Sequence, residues 1–218
     1  MNVEEFFLSA LRVTIDTVAY PEYRPLLDRA TALVDAGKIP VISHNGLSFS
    51  HRNKPKFKEY KMKLYQLYRN PAYAVGTCLH EGAHAILMTD GRVQNVKFSG
   101  PGILRKSDGS LFPYGARVDG DPQTDRTIDA AFIFEKTTHM VVGGIAMQKY
   151  SGIKEVSDAG DYGIFLRNCA STPEFFKEEK PEELWARAVK HVDSWLEQPE
   201  IKSRIFARAA EYLEQLYP

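Results

Sequence analysis

The sequence predicts a mainly α-helical domain of the α+β class, with one small β-hairpin or sheet. Two observations favour this class. Apolar residues recur three or four positions apart through most of the chain, as at Leu26, Ala30 and Leu33, which is the spacing of a buried helix face. The longer strand-like runs are confined to residues 93–118, where Gly, Pro, Ser and Asp punctuate them as turns do.

Breaks in the helical pattern coincide with Gly, Pro and Asn residues, which end helices or mark loops. The predicted helices span residues 21–37, 57–68, 72–88, 127–150, 181–196 and 200–216, with a shorter one starting near residues 157–158. Strands are predicted at residues 93–99 and 111–118, with a short one at 39–42, and residues 44–56 are predicted to be a loop.

The length of 218 residues is enough for one compact domain with a full hydrophobic core. Within it we expect residues 1–70 to form an N-terminal helical segment that packs on the core. Residues 71–170 would form the core that carries the candidate site, and residues 171–218 a C-terminal helical pair.

Composition argues against several classes of function. The chain has 28 Lys and Arg against 28 Asp and Glu, so no basic excess indicates nucleic acid or a membrane surface as a partner. Glu4 and Glu5 stand where a secretion signal carries positive charge, and no run approaches the roughly 18 apolar residues of a membrane span. Two cysteines, Cys78 and Cys169, are too few for a disulfide framework. We therefore expect a cytoplasmic protein with reduced thiols.

The strongest chemical signal is the segment His80-Glu81-Gly82-Ala83-His84, inside the helix predicted at 72–88. Residues four apart share one face of a helix, so His80 and His84 can direct imidazole nitrogens at one Zn2+ ion. Glu81 can reach a water in the open coordination position and accept its proton. The pattern predicts a zincin-like metallopeptidase domain, with His80 and His84 as zinc ligands and Glu81 as general base.

A catalytic zinc site needs a third protein ligand, and the residues themselves leave the choice open. The downstream candidates are His139, Glu135, Glu155, Asp158 and Asp161. His139 is favoured as a core or surface histidine. Asp161, taken alone, is favoured as an acid in the first turn of a helix, where the helix dipole stabilises it.

Several further residues have both a functional and a structural interpretation. Gly143 and Gly144 lie inside a helical pattern, where each costs about 1 kcal/mol relative to Ala. Close packing against the metal helix would offset that cost, and a simple kink is the alternative. Cys78 is predicted to be a buried thiol off the metal face. His44 and His51 are predicted to be surface residues, although they could border a cleft.

Residues 72–167 resemble the peptidase domain of the FtsH family of ATP-dependent zinc proteases. The likeness is carried by the metal helix, the strand-rich residues 93–118, the long helix with Gly143-Gly144-Ile145-Ala146, and the segment at residues 156–162. The resemblance implies that Asp161 is the third zinc ligand, because it matches the aspartate that opens the next helix in that family. It also implies a peptide or an unfolded protein as substrate.

The chain departs from the family pattern in three respects. Gln148 stands where the family usually has Glu, and the order Gly82-Ala83 reverses the usual Ala-Gly. No P-loop pattern, G-x-x-x-x-G-K followed by Ser or Thr, occurs. We therefore expect a stand-alone relative of the peptidase half that works without ATP by itself, with a separate ATPase or further copies of itself as candidate partners.

Two other functions compete with a peptidase. One is a non-catalytic, zinc-stabilised binding module, and the other is a metal-dependent amide hydrolase with a non-peptide substrate. Glu81 favours catalysis over the binding module, because a structural zinc site needs no general base and usually closes its fourth position with Cys or His.

Overall fold

The computed structural model describes residues 20–44, 46–121, 128–153, 161–171 and 179–218, and these ranges contain eight helices and four short strands. The helices are α1 Tyr23–Asp35, α2 Phe49–Arg52, α3 Pro55–Tyr68, α4 Pro71–Asp90, α5 Ala130–Ser151, α6 Asp161–Ser171, α7 Pro181–Leu196 and α8 Pro199–Leu216. The strands are β1 Lys97–Ser99, β2 Gly102–Arg105, β3 Leu111–Tyr114 and β4 Arg117–Asp119. The predicted mainly helical class is confirmed.

Local signals determine where α4, the helix with the two histidines, begins. The side chain of Asn70 accepts hydrogen bonds from the backbone amides of Ala72, at 3.1 Å, and Tyr73, at 3.4 Å. Pro71 takes the first helical position. A backbone N–H at this position has no partner within the helix, so proline, which lacks one, loses no hydrogen bond there. A cap of this kind contributes about 1 kcal/mol.

Capping residues also bound α5. At its start the side chain of Asp129 accepts a hydrogen bond from the amide of Phe132 at 2.8 Å. At its end Gly152 has a φ of 69°, the left-handed conformation that glycine adopts without steric cost. The predicted helix end at Gly152 is confirmed.

The four strands form two antiparallel pairs, one nested inside the other along the chain. β1 pairs with β4, so that Phe98 lies opposite Val118, and β2 pairs with β3, so that Ile103 lies opposite Pro113. An isolated parallel bridge joins Ser43 to Gly102 and so connects the segment after α1 to β2.

α4 packs against α1, α3, α5, α8 and β4, while α5 also packs against α6 and α7. Leu79 and Ala83 of α4 are fully buried as a result. Gly82 allows α8 to approach closely, because a Cβ atom at this position would lie 3.1 Å from the carbonyl oxygen of Ile205. Helices from the N-terminal, central and C-terminal stretches of the sequence therefore surround the helix that carries the histidines.

Several sequence-based predictions of secondary structure are wrong. Residues 39–42 are not a strand, since the amide of Val41 bonds to the carbonyl of Leu216 at 2.9 Å and the nearest bridge is at Ser43. Residues 44–56 are not all loop, because they contain α2 and the start of α3, which uses Pro55 as its first residue. Strand β2 was not predicted, because Gly102 is typical of a turn.

One predicted helix start lies outside the described residues. The short helix was predicted to begin near residues 157–158, and α6 is described from Asp161 onwards.

Two expectations from the sequence concern membrane-spanning helices and the state of the cysteines. In the described ranges, no helix has both the length and the apolar character needed to cross a bilayer. Cys78 and Cys169 are free, buried thiols, and burial raises the pKa of Cys78. The prediction that Cys78 is a buried thiol is confirmed.

Candidate metal centre

The two histidines of α4 direct their imidazoles towards a common point. Their Nε2 atoms are 3.1 Å apart and their ring centroids 4.8 Å apart. Two nitrogens at this separation can both lie roughly 2.0–2.1 Å from one zinc ion, at an N–Zn–N angle of roughly 100°, which is close to tetrahedral. The pair formed by His80 and His84 therefore fits two positions of a zinc site.

Gly143 of α5 packs directly against this pair. A Cβ atom on Gly143 would lie 2.4 Å from Nε2 of His80 and 2.5 Å from Nε2 of His84. Both distances are shorter than real contacts, so any side chain at this position would push the imidazoles out of the arrangement that lets them share one ion. The predicted close packing of Gly143 against the metal helix is confirmed.

His84 is held in a form that suits a metal ligand. Burial and the neighbouring rings of His80 and His139 lower the pKa of His84 well below its usual range, so its imidazole is neutral at pH 7. The ring also donates a hydrogen bond to the backbone carbonyl of His139. Because Nε2 faces His80, we assign this bond to Nδ1. Nε2 of His84 then carries the lone pair, which accepts a hydrogen bond from Nε2 of His80 and could bind a metal in its place.

The carboxylate of Glu81 is buried beside the pair. Its side chain is 7% exposed, and its Oε1 lies 3.9 Å from Nε2 of His80. This distance is too long for a direct hydrogen bond and leaves the carboxylate near an ion or water held by the histidines. Two buried phenols sense its charge. Burial, then Tyr73 and then Glu81 raise the pKa of Tyr68, while burial and then Glu81 raise the pKa of Tyr212 to about 12.

Tyr212 is a neighbour of the site that sequence reasoning missed. Its ring stacks on Phe98 with 4.4 Å between centroids, and its buried hydroxyl has no hydrogen-bond partner within the described part of the chain. Buried hydroxyls normally have one. The periodicity of α8 predicts an ordinary core residue at this position, so nothing in the sequence distinguishes Tyr212 from the rest of the core.

Among the side chains that the structure describes, none joins the histidine pair as a third ligand. Across the described ranges, no group of three or more His, Cys, Asp or Glu is placed to hold a metal ion. Glu135 and His139 are both described and do not complete such a group with the pair. Asp161 is the first residue of α6, which packs on α5, and its side chain lies outside the described part. Asp158 and Glu155 are also outside the described residues.

His51 belongs to a separate cluster near the start of α2. Its Nδ1 lies 2.7 Å from Oγ of Ser48, and its Nε2 lies 3.2 Å from a guanidinium nitrogen of Arg105. Arginine can only donate, so Nε2 accepts and the Nδ1 proton is donated to Ser48. His51 therefore does not activate Ser48 as a base would. His44 is half-buried with its ring edge-on to Phe57, so neither histidine is a fully exposed surface residue.

No family model matches the chain, and neither a curated protein nor a solved structure matches it.

Proposed function

We propose that the chain is a zinc-dependent metallopeptidase that hydrolyses peptide bonds with Glu81 as general base. The observation that carries this proposal is the convergence of the Nε2 atoms of His80 and His84, which lie 3.1 Å apart, with the buried carboxylate of Glu81 beside them. Two converging histidines and a nearby carboxylate that is not a ligand are typical of a catalytic zinc site rather than of a structural one.

Each group at the centre has a separate task. Zinc bound there would supply a Lewis acid that lowers the pKa of a coordinated water towards about 7. Glu81 accepts a proton from the attacking water and delivers a proton to the leaving amine. The hydrogen bond from His84 to the carbonyl of His139 fixes the ring, so that Nε2 of His84 would be available as a zinc ligand. We assign the third ligand position to Asp161.

The proposed relationship is to the peptidase half of the FtsH family, as a stand-alone member. It is supported by the order of elements along the chain, in which α4 is followed by the strands, then by α5 with Gly143, then by α6 starting at Asp161. The proposed substrate is accordingly a peptide or an unfolded protein segment. A separate ATPase or further copies of the chain are the proposed partners.

The protein as purified is expected to carry about one zinc ion per chain, because two imidazoles and one carboxylate form a tight site. Inductively coupled plasma mass spectrometry of undialysed protein measures this content. His80→Ala and His84→Ala should lose the metal, whereas His191→Ala, which removes an exposed histidine of α7, should keep it. Less than a tenth of an equivalent in the parent protein, with no uptake of added zinc, would contradict the site.

Asp161→Ala is expected to weaken zinc binding by about a hundredfold or more, because a charged ligand is lost. If Asp161 were only an acid at the start of α6, its removal would cost about 0.3–1 kcal/mol of stability and leave the zinc affinity unchanged. Competition with a chelator separates the two results, with circular dichroism as the check of folding. Asp158→Ala and Glu155→Ala serve as matched controls, and loss of zinc in either of them instead would move the ligand assignment to that residue.

A further inference from the structure

A groove of about 350 Å³ lies between the end of α1 and one face of α3. A volume of this size lies within the range of ligand-binding clefts. The residues that line it include Val34, Lys38, Ile39, Met62, Tyr65 and Arg69. None of them belongs to the metal centre.

Two large apolar side chains are exposed along this groove, Ile39 at 64% and Met62 at 56%. The backbone on both sides of Ile39 is held in place. The amide of Lys38 bonds to the carbonyl of Leu33 at 3.0 Å, and the amide of Val41 bonds to the carbonyl of Leu216 at 2.9 Å. The exposed position of Ile39 is therefore fixed by the backbone on both sides of it.

The α3 side of the groove is a single stripe of the helix. Met62 and Tyr65 of α3, and Arg69, which caps its C-terminal end, follow one another at positions i, i+3 and i+7, which lie on one face. The opposite face of α3 buries Phe57 and Leu64 in the core. Exposed side chains at this spacing can contact successive side chains of a bound polypeptide. Methionine is flexible, so it can adapt its shape to different apolar partners.

The groove carries positive charge. Within the described part of the chain Arg69 makes no ion pair, and the ammonium of Lys38 donates to the backbone carbonyl of Pro218 at 2.9 Å. Glu214, which lies near Lys38, is already held by two hydrogen bonds from Arg29. The ammonium of Lys61 lies 5.4 Å from the centroid of the Tyr65 ring and adds a third cation. A partner that complements this surface must be both apolar and acidic.

We propose that this groove binds an extended polypeptide segment in which large apolar side chains alternate with acidic ones. The apolar side chains cover Ile39 and Met62, which removes their exposed surface from water. The carboxylates pair with Arg69 and Lys38, where a guanidinium can form two parallel hydrogen bonds to one carboxylate. Because the groove shares no residue with the metal centre, binding does not depend on zinc.

Fluorescence anisotropy with the full-length protein tests this. The probe is a fluorescein-labelled peptide of about a dozen residues in which Leu and Phe alternate with Glu. A second probe replaces each Glu with Lys, and a third replaces each Leu and Phe with Ser. We expect only the first probe to bind tightly, with at least tenfold weaker binding of the other two. Binding should fall when salt is raised, because part of it is electrostatic.

The variants that locate the site are Arg69→Glu and Met62→Ser, each expected to weaken binding of the first probe at least tenfold. The matched controls are Lys190→Glu on α7 and Phe49→Ser on α2, which change an exposed cation and an exposed apolar side chain elsewhere and should alter binding less than twofold. No binding of the first probe, equal binding of all three, or equal losses in the controls would overturn the proposal. Chelation of zinc should leave binding of the first probe unchanged. A failure of the peptide-binding proposal can therefore be distinguished from a failure of the proposed hydrolysis.

Discussion

Glu81→Gln is expected to lower the rate of casein hydrolysis by about 10²–10⁴-fold, the usual contribution of a positioned general base. The carboxamide keeps the shape of the side chain but cannot accept the proton of the attacking water. Zinc should stay bound, because Glu81 is not a ligand and His80 and His84 are unchanged. Zinc content and hydrolysis are measured on the same sample, so that loss of the metal cannot be mistaken for loss of the base.

The matched control for this variant is Glu59→Gln, which makes the same change in an exposed carboxylate of α3 that pairs with Lys63. It should leave hydrolysis unchanged. Equal rates for Glu81→Gln and the parent protein would exclude Glu81 as the base. If the parent binds zinc and cleaves no member of a broad peptide library, the zinc-stabilised binding module becomes the better interpretation.

Gly143→Ala is expected to weaken zinc binding by at least about a thousandfold, equivalent to roughly 4 kcal/mol. The new methyl group would lie 2.4 and 2.5 Å from the two Nε2 atoms, which is too close for a real contact, so it would push the imidazoles out of the arrangement that lets them share one ion. Folding should persist, because the change favours the helix by about 1 kcal/mol and the imidazoles can rotate away when no metal is bound. Isothermal titration with zinc, together with a thermal unfolding curve, measures both effects.

Gly76→Ala separates the effect of a methyl group placed against the two imidazoles from the effect of general crowding between α4 and α5. A Cβ atom at position 76 would lie 2.8 Å from Cδ1 of Ile153 and 2.9 Å from Cε of Met147, which are the far ends of side chains that can move. This variant crowds the neighbourhood of the same two helices without touching either imidazole. It should therefore keep its zinc affinity. Equal affinity in Gly143→Ala and the parent would mean that the close contact between position 143 and the two imidazoles does not matter for zinc binding.

Much of the fold could be predicted because the signals are local. Residues 181–196 were predicted as a helix and form α7 with the same limits, since a proline start and an apolar period of three to four lie within the segment itself. The end of α5 at Gly152 is equally local, because left-handed backbone favours glycine. Strand β2 was missed because its pairing with β3 depends on residues several positions away rather than on its own short sequence.

The sequence by itself determined the pair His80 and His84 and the neighbouring Glu81, because a spacing of four on one helix brings two imidazoles together whatever packs around them. It also indicated that a glycine near position 143 needs a packing reason. What only the tertiary structure decided is where that glycine lies. His80 and Gly143 are far apart in the chain. A Cβ atom on Gly143 would lie 2.4 Å from Nε2 of His80 because of how α5 crosses α4. The same holds for the bond from His84 to the carbonyl of His139 and for the position of Tyr212 near Glu81. These contacts join different helices, and the periodicity of one helix carries no information about which residue of another helix will face it.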